Sequence, residues 1–274
     1  MGYLEIVFPQ WQGAGTCSAL EEGALHAQQA AGLESAQRVA LAAEPATARM
    51  DGVDHLEALL AQQQSCWRLL QQRQPERILT CGGDCGVEVA PLAYLNHRLQ
   101  GRLNVVWLDA HGDLNTPASS PSGHFHGMPL RLLMGEGLSR MLPLVQTPLA
   151  PEQLILAGQR DLDVAEREWI DAKRLRLFGV EAMAENPGCV AAALNPAWPC
   201  YIHLDLDVLD PASHPWVCCP TPGGLALETL RQVIDAIVER VALAGAGVTE
   251  CTAGRVEDAA TAGALLRRLR SRLA

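Results

Sequence analysis

An α/β fold, with a mostly parallel sheet covered by helices on both faces, is what this sequence predicts, and two observations carry the expectation. Short β-rich runs alternate with longer stretches of helical periodicity, the pattern that crossover helices between parallel strands leave in a chain. A long polar loop directly follows one of those runs, at the place where an open parallel sheet puts its ligands.

The β-rich runs come in order as "LEIVF" (4–8), "RILT" (77–80), "RLNVVWL" (102–108), "QLILA" (153–157), "RLRLFG" (174–179), "YIHLDL" (201–206) and "GAGVTE" (245–250). Between and after them, "HLEALLAQQQSCWRLLQQ" (55–72), "ALETLRQVIDAIVERVAL" (226–243) and "VEDAATAGALLRRLRSRLA" (256–274) carry apolar residues at helical spacing. The least regular stretch runs from 112 to 127, where Pro, Ser, Thr and Gly crowd together after a strand. No internal repeat or low-complexity linker interrupts the alternation, so one domain over residues 1–274 is expected.

Composition narrows the function classes. The chain has 274 residues, 49% of them apolar, enough for a substantial core. A net charge of −10 lacks the basic face that nucleic acid or an anionic membrane requires, which leaves a small molecule as the expected partner. No run approaches the roughly 20 apolar residues of a membrane span, and "MGYLEIVFPQWQ" has no cationic leader followed by an apolar stretch, so a cytoplasmic protein is expected. Nine irregularly spaced cysteines suit reduced core thiols better than a disulfide framework.

The chemistry concentrates at two strand ends. After 102–108 comes "DAHGDLN", with Asp109, His111 and Asp113 at i, i+2 and i+4, which extended backbone would place on one face. After 201–206 the chain reads "HLDLDVLDP", with Asp205 and Asp207 related in the same way. Either cluster alone is compatible with a solvated acidic loop or a single Mg²⁺ site. Together, four carboxylates and an imidazole at two strand mouths repel unless cations compensate them. Two divalent ions about 3.5–4 Å apart, with a water acidified between them, resolve that repulsion. Oxygen-rich ligation with one imidazole favours Mn²⁺.

The ordered motifs "GGDCG" (82–86), "DAHGDLNTPASSPSGHFHGMPL" (109–130), "LDLDVLDP" (204–211) and "TPGGL" (221–225) resemble those of the arginase, or ureohydrolase, family. The resemblance implies a three-layer α/β/α fold and a binuclear manganese site that hydrolyses a guanidino group. It also implies that Asp109 and Asp205 bridge two Mn²⁺ ions, with Asp113 completing one and His111 and Asp207 the other. His126 matches the family's proton-transfer histidine and Glu250 the carboxylate that pairs with the guanidinium. Asn115 and Ser122 stand where arginases hold an α-carboxylate, and Asp163 and Glu166 where they hold an α-amino group. The implied substrate is a guanidino α-amino acid, arginine or N-hydroxyarginine, cleaved to ornithine plus urea or hydroxyurea, in a chain that can form a homo-oligomer.

Two positions depart from the family pattern. His124 replaces an asparagine near the substrate carboxylate, and Cys85 stands where the first metal ligand is histidine. A thiolate is a softer ligand that prefers zinc or iron, so the ion shared by Cys85 and Asp113 is the weaker of the two. His203 has the strand parity of Asp205 and Asp207 but lies roughly 6–7 Å further into the sheet, where a core histidine is expected. A non-catalytic, metal-poor amino-acid-binding protein is the alternative reading. Nucleotide binding through "GAGTCS" (13–18) lacks a third glycine and a nearby lysine.

Overall fold

The computed structural model describes residues 2–41 and 49–274. Eight strands, β1 (Tyr3–Phe8), β2 (Gln37–Arg38), β3 (Arg77–Gly82), β4 (Asn104–Leu108), β5 (Leu154–Ala157), β6 (Arg176–Phe178), β7 (Cys200–Asp205) and β8 (Leu243–Thr249), form one sheet. Their order is β2-β1-β3-β8-β7-β4-β5-β6, and every pairing between them is parallel. All seven runs expected as strands are present. The eighth, β2, has two residues at the sheet edge, too few to leave a pattern.

Nine helices join the strands among the described residues: α1 (Ala19–Ala31), α2 (Leu56–Arg73), α3 (Val89–Arg98), α4 (Pro129–Leu133), α5 (Val164–Lys173), α6 (Val180–Glu185), α7 (Cys189–Ala192), α8 (Leu227–Arg240) and α9 (Ala260–Leu273). The runs expected as helices correspond to α2, α8 and α9. In α8 the buried residues are Leu230, Val233, Ile234 and Ile237, the i, i+3, i+4, i+7 stripe of a helix lying on a sheet.

Layering follows from strand geometry. Every residue of β4 is buried, because a parallel sheet covered on both sides has no solvent face. Alternate side chains then enter different cores. Val106 and Leu108 pack with α1, α8 and α9, whereas Val105 and Trp107 pack with α2, α3 and α5.

Topology makes the site. From β3 the chain crosses to β4, leaving two places that β7 and β8 fill on the way back. The four central strands thus come from distant parts of the sequence, and because they are parallel their carboxyl ends open on one edge.

Candidate functional site

Each central strand delivers side chains to that edge. Beyond β4 the backbone turns, and Asp113 adopts a left-handed conformation (φ +54°). Asp205 ends β7, and residues 206–208 coil into one 3₁₀ turn whose Asp207 N–H donates to Asp205 Oδ1 at 2.8 Å. Convergence of these aspartates therefore comes from turns and not from extended alternation, which corrects the reason given by the sequence while keeping the residues. Glu250, just past β8, is also left-handed (φ +65°). Such backbone is strained for a non-glycine residue and persists where the surroundings over-determine it.

The turns bring the six residues expected as metal ligands into contiguous clusters. His111 Nδ1 lies 3.0 Å from Asp207 Oδ2 and 3.5 Å from Asp109 Oδ1. Cys85, in a 3₁₀ turn after β3, donates from Sγ to Asp205 Oδ2 at 3.1 Å. Donor atoms of Cys85, Asp109, Asp113 and His203 all lie within 4.8 Å of one another, as do those of Cys85, Asp205 and Glu250.

His203 is buried in the core, as expected, but it also lies beside the cluster. Its Nε2 is 3.6 Å from Cys85 Sγ and 3.8 Å from Asp109 Oδ2, and its ring stacks on Trp107 at 3.7 Å. Thr80, Gly247, His203 and Trp107 form one register row across β3, β8, β7 and β4. The missing side chain of Gly247 leaves room above β8 that the Glu88 carboxylate fills.

Electrostatics make this cluster a place for cations. Burial, then neighbouring negative charge, pushes Asp113 and Asp205 well above the usual carboxylate range and Asp207 up to about 6. Burial and the facing carboxylates likewise push the Cys85 thiol far up. Burial opposes ionisation of Asp109 as well, but the neighbouring His111 and His203 imidazoles outweigh it and hold its carboxyl below the ordinary range. Oδ2 of Asp113 and Oε2 of Glu250 are buried without a hydrogen-bond partner. Buried acids at this density remain ionised only beside positive charge, and a carboxylate, imidazole and thiol donor set fits divalent ions.

The proton-transfer candidate and the guanidinium partner touch. His126 Nδ1 stands 3.2 Å from Glu250 Oε1, which also accepts the Cys85 N–H at 3.0 Å. Burial alone would lower the His126 pKa, but the hydrogen bond and charge of Glu250 raise it to about 9.

A cavity of about 270 Å³ opens over these groups, and Asn115, Ser122, Asp163 and Glu166 line it. Asn115 Nδ2 donates to Asp163 Oδ2 at 2.8 Å. Both Glu166 oxygens accept backbone N–H groups, from Leu114 at 2.9 Å and Asp163 at 2.9 Å, so this side chain ties the loop after β4 to the start of α5. His124 is not in the lining; its Nε2 lies 3.6 Å from Asp54. Asp161 and Cys219 are among the lining residues that the sequence reading missed. Cys219 follows Cys218 just before the "TPGGL" motif, a signal hidden by reading the cysteines as core. A hydrogen bond from Cys218 and the charge of His126 lower its thiol to about 7 against the opposing effect of burial.

Comparison with known proteins gives concordant results. The family model described as "Arginase family" matches residues 17–272. An arginase of Staphylococcus aureus (strain COL) is 37% identical over 169 residues, 56% of this chain and 55% of that protein. The matched stretch thus spans about half the length of that curated relative. The native structure of arginase from Bacillus caldovelox superposes with a TM-score of 0.87 at 26% identity, over 98% of this chain and 97% of that one. Entamoeba histolytica arginase in complex with L-ornithine has the same fold, with a TM-score of 0.85 at 22% identity over 97% of each chain. No helix among the described residues is long and apolar enough to cross a membrane.

Proposed function

The chain belongs to the arginase family, and from that premise we propose that it is an amidinohydrolase, one catalytic domain that cleaves the guanidino group of an α-amino acid, arginine or N-hydroxyarginine, to ornithine plus urea or hydroxyurea. The observation that carries this reading is the meeting of three overlapping donor groups with the His126–Glu250 pair at the floor of one cavity.

Asp109, His111, Asp205 and Asp207 would hold one Mn²⁺ and Cys85, Asp109, Asp113 and Asp205 the other, in keeping with the contacts among them. Bound there, two divalent ions would supply Lewis-acid activation of water at neutral pH.

The protein's own groups account for the rest. Glu250 presents an unpartnered Oε2 beside its engaged Oε1, an acceptor for the guanidinium fork. His126, protonated below about pH 9, holds a proton that the departing amine must gain. Asp163 gives one carboxylate oxygen to Asn115 and keeps the other for the α-amino group, while Glu166 fixes the backbone that carries both. Asn115 and Ser122 face the same cavity as the α-carboxylate partners.

The test is metal analysis of the purified protein combined with urea and hydroxyurea release from arginine, N-hydroxyarginine, agmatine and guanidinobutyrate. Expected are bound divalent metal, release from an α-amino substrate and its abolition by a chelator. Absence of release from every guanidine under Mn²⁺, Co²⁺ and Zn²⁺ would overturn the reading, and preference for agmatine would overturn the substrate class.

A further inference from the structure

We propose that the ion beside Cys85 sits in a four-donor site of Cys85, Asp109, Asp113 and His203, with His203 in the place given above to Asp205 and Glu88 oriented behind that histidine, and that this thiolate–imidazole site takes up Zn²⁺ or Co²⁺ in preference to Mn²⁺ relative to the oxygen-rich site at His111. The proposal rests on the hydrolase reading for the presence of two ions and adds to it a different ligand and a different metal preference for one of them.

Geometry carries it. Donors about 2.0–2.3 Å from a tetrahedral ion stand roughly 3.3–3.8 Å from one another. Cys85 Sγ and His203 Nε2 are 3.6 Å apart, and His203 Nε2 and Asp109 Oδ2 are 3.8 Å apart. These are close to the edges of such a tetrahedron, and Asp113 lies within 4.8 Å of each as the fourth donor. Asp113 Oδ2 is buried without any partner in the protein. The site therefore offers one sulfur, one nitrogen and two oxygens. The other cluster, of Asp109, His111 and Asp207, offers one nitrogen with carboxylates alone.

Glu88 is the second, independent observation. It is fully buried, and neither of its carboxylate oxygens has a hydrogen-bond partner. Its Oε2 lies 4.0 Å from His203 Nδ1, which is itself buried and unpartnered. A metal-bound imidazole commonly donates its other N–H to a carboxylate, which fixes the ring and strengthens the ligand. Closing the gap between Glu88 and Nδ1 while Nε2 faces Cys85 produces that arrangement. The fold makes space for this carboxylate. A Cβ on Gly247 would lie 1.7 Å from Glu88 Oε1, so glycine in the middle of a central strand is what admits it. An acid placed so deep without a partner otherwise incurs a large desolvation cost.

Cobalt reports the ligands directly. Chelated full-length protein titrated with Co²⁺ is expected to develop a sulfur-to-cobalt charge-transfer band and the visible bands of tetrahedral Co²⁺, saturating with the first equivalent. Mn²⁺ added afterwards should fill the other site without displacing that spectrum. Cys85→Ser should lose the sulfur band. Glu88→Gln should keep the band but weaken Co²⁺ binding by about 10–100-fold, the usual effect of removing such an outer partner. His203→Gln should weaken the same ion further and shift its visible bands, leaving the ion at His111 in place. A Co²⁺ complex without a sulfur band, or with unchanged affinity in Glu88→Gln, would overturn the inference even if His203→Gln fails to fold. Either result in a protein that still binds two ions and hydrolyses a guanidine leaves the hydrolase reading intact, whereas absence of both binding and turnover removes that reading too.

Discussion

His126 and Glu250, 124 positions apart in sequence, are joined by a 3.2 Å contact between Nδ1 and Oε1, at the point where the loop after β4 crosses the end of β8. The contact couples a proton carrier to the group expected to grip the guanidinium. It also sets a pH range. With its pKa raised to about 9, His126 remains protonated through neutral pH and loses its proton as pH rises through that value. We predict that kcat falls across that upper range, and that His126→Asn removes the fall together with about 10²–10⁴-fold of the rate. The pH profile of kcat in both proteins checks this. The same pair contributes to stability: a histidine raised from about 6.5 to about 9 stabilises the folded chain fully below the lower value and loses that contribution as pH climbs through the upper one.

Removing metal should invert the usual benefit of neutral pH. Burial and neighbouring charge push Asp207 up to about 6, and Asp113 and Asp205 further, whereas unfolded aspartate titrates near 3.8. Between about pH 4 and 6 the folded, chelated protein therefore retains protons that the unfolded chain has released, so its stability declines as pH rises through that window. We expect chelated protein to melt lower at pH 8 than near pH 5, and Mn²⁺ to raise the midpoint most at pH 8. Identical midpoints in all four conditions would contradict an uncompensated acidic cluster.

Asp163 lines the same cavity as the clustered aspartates and accepts a hydrogen bond from Asn115 at 2.8 Å. A hydrogen bond to a charged group is worth about 1.5–3 kcal/mol, so Asp163→Ala should raise KM for an α-amino substrate by about 10–100-fold. Because that contact is made equally in ground and transition states, kcat should change much less. A fall in kcat with KM unchanged would place Asp163 elsewhere in the mechanism.

Much of the site was legible in the sequence because its residues sit at fixed offsets from strand ends. "DAHGDLN" and "HLDLDVLDP" pointed to aspartates that the fold brings together, although local turns at Asp113 and residues 206–208, and not alternation, make them converge. What could not be read were relations across strands. The depth argument against His203 treated β7 alone, whereas Cys85, from the turn after β3, comes within 3.6 Å of its Nε2. Glu166 was expected with Asp163 at the α-amino group, yet its two oxygens accept amides that only the folded loop supplies. Cys219 was hidden because composition groups all cysteines together, while only the fold brings it, with Cys85, to the cavity wall.

That cysteine gives a chemical handle. A thiol near 7 in the cavity is substantially thiolate at pH 8, whereas burial raises the thiols of Cys66, Cys81 and Cys200 far beyond reach. Iodoacetamide is expected to label Cys219 ahead of those three, and ornithine in the cavity to slow the labelling, read by peptide mass mapping. Equal labelling with and without ornithine would show that Cys219 does not share the ligand's space.

The packing around Gly247 can be tested without any metal. In the register row, Gly247 lies between Thr80 and His203, and the volume its side chain would occupy is filled by Glu88. Gly247→Ala forces a methyl group against a fully buried carboxylate, with the atoms 1.7 Å apart before relaxation. Overpacking of this kind costs about 1–3 kcal/mol. Glu88→Ala removes the obstructing group, so the two substitutions should not add: the double variant should be more stable than the sum of the single losses requires. Residues in contact give coupling energies of about 0.5–3 kcal/mol in such a cycle. Denaturant unfolding of the four chelated proteins measures it, at a pH low enough to keep the acidic cluster protonated. Additive losses would mean that Glu88 leaves the space over Gly247 when the strand changes, and that the glycine is not what holds the carboxylate behind His203.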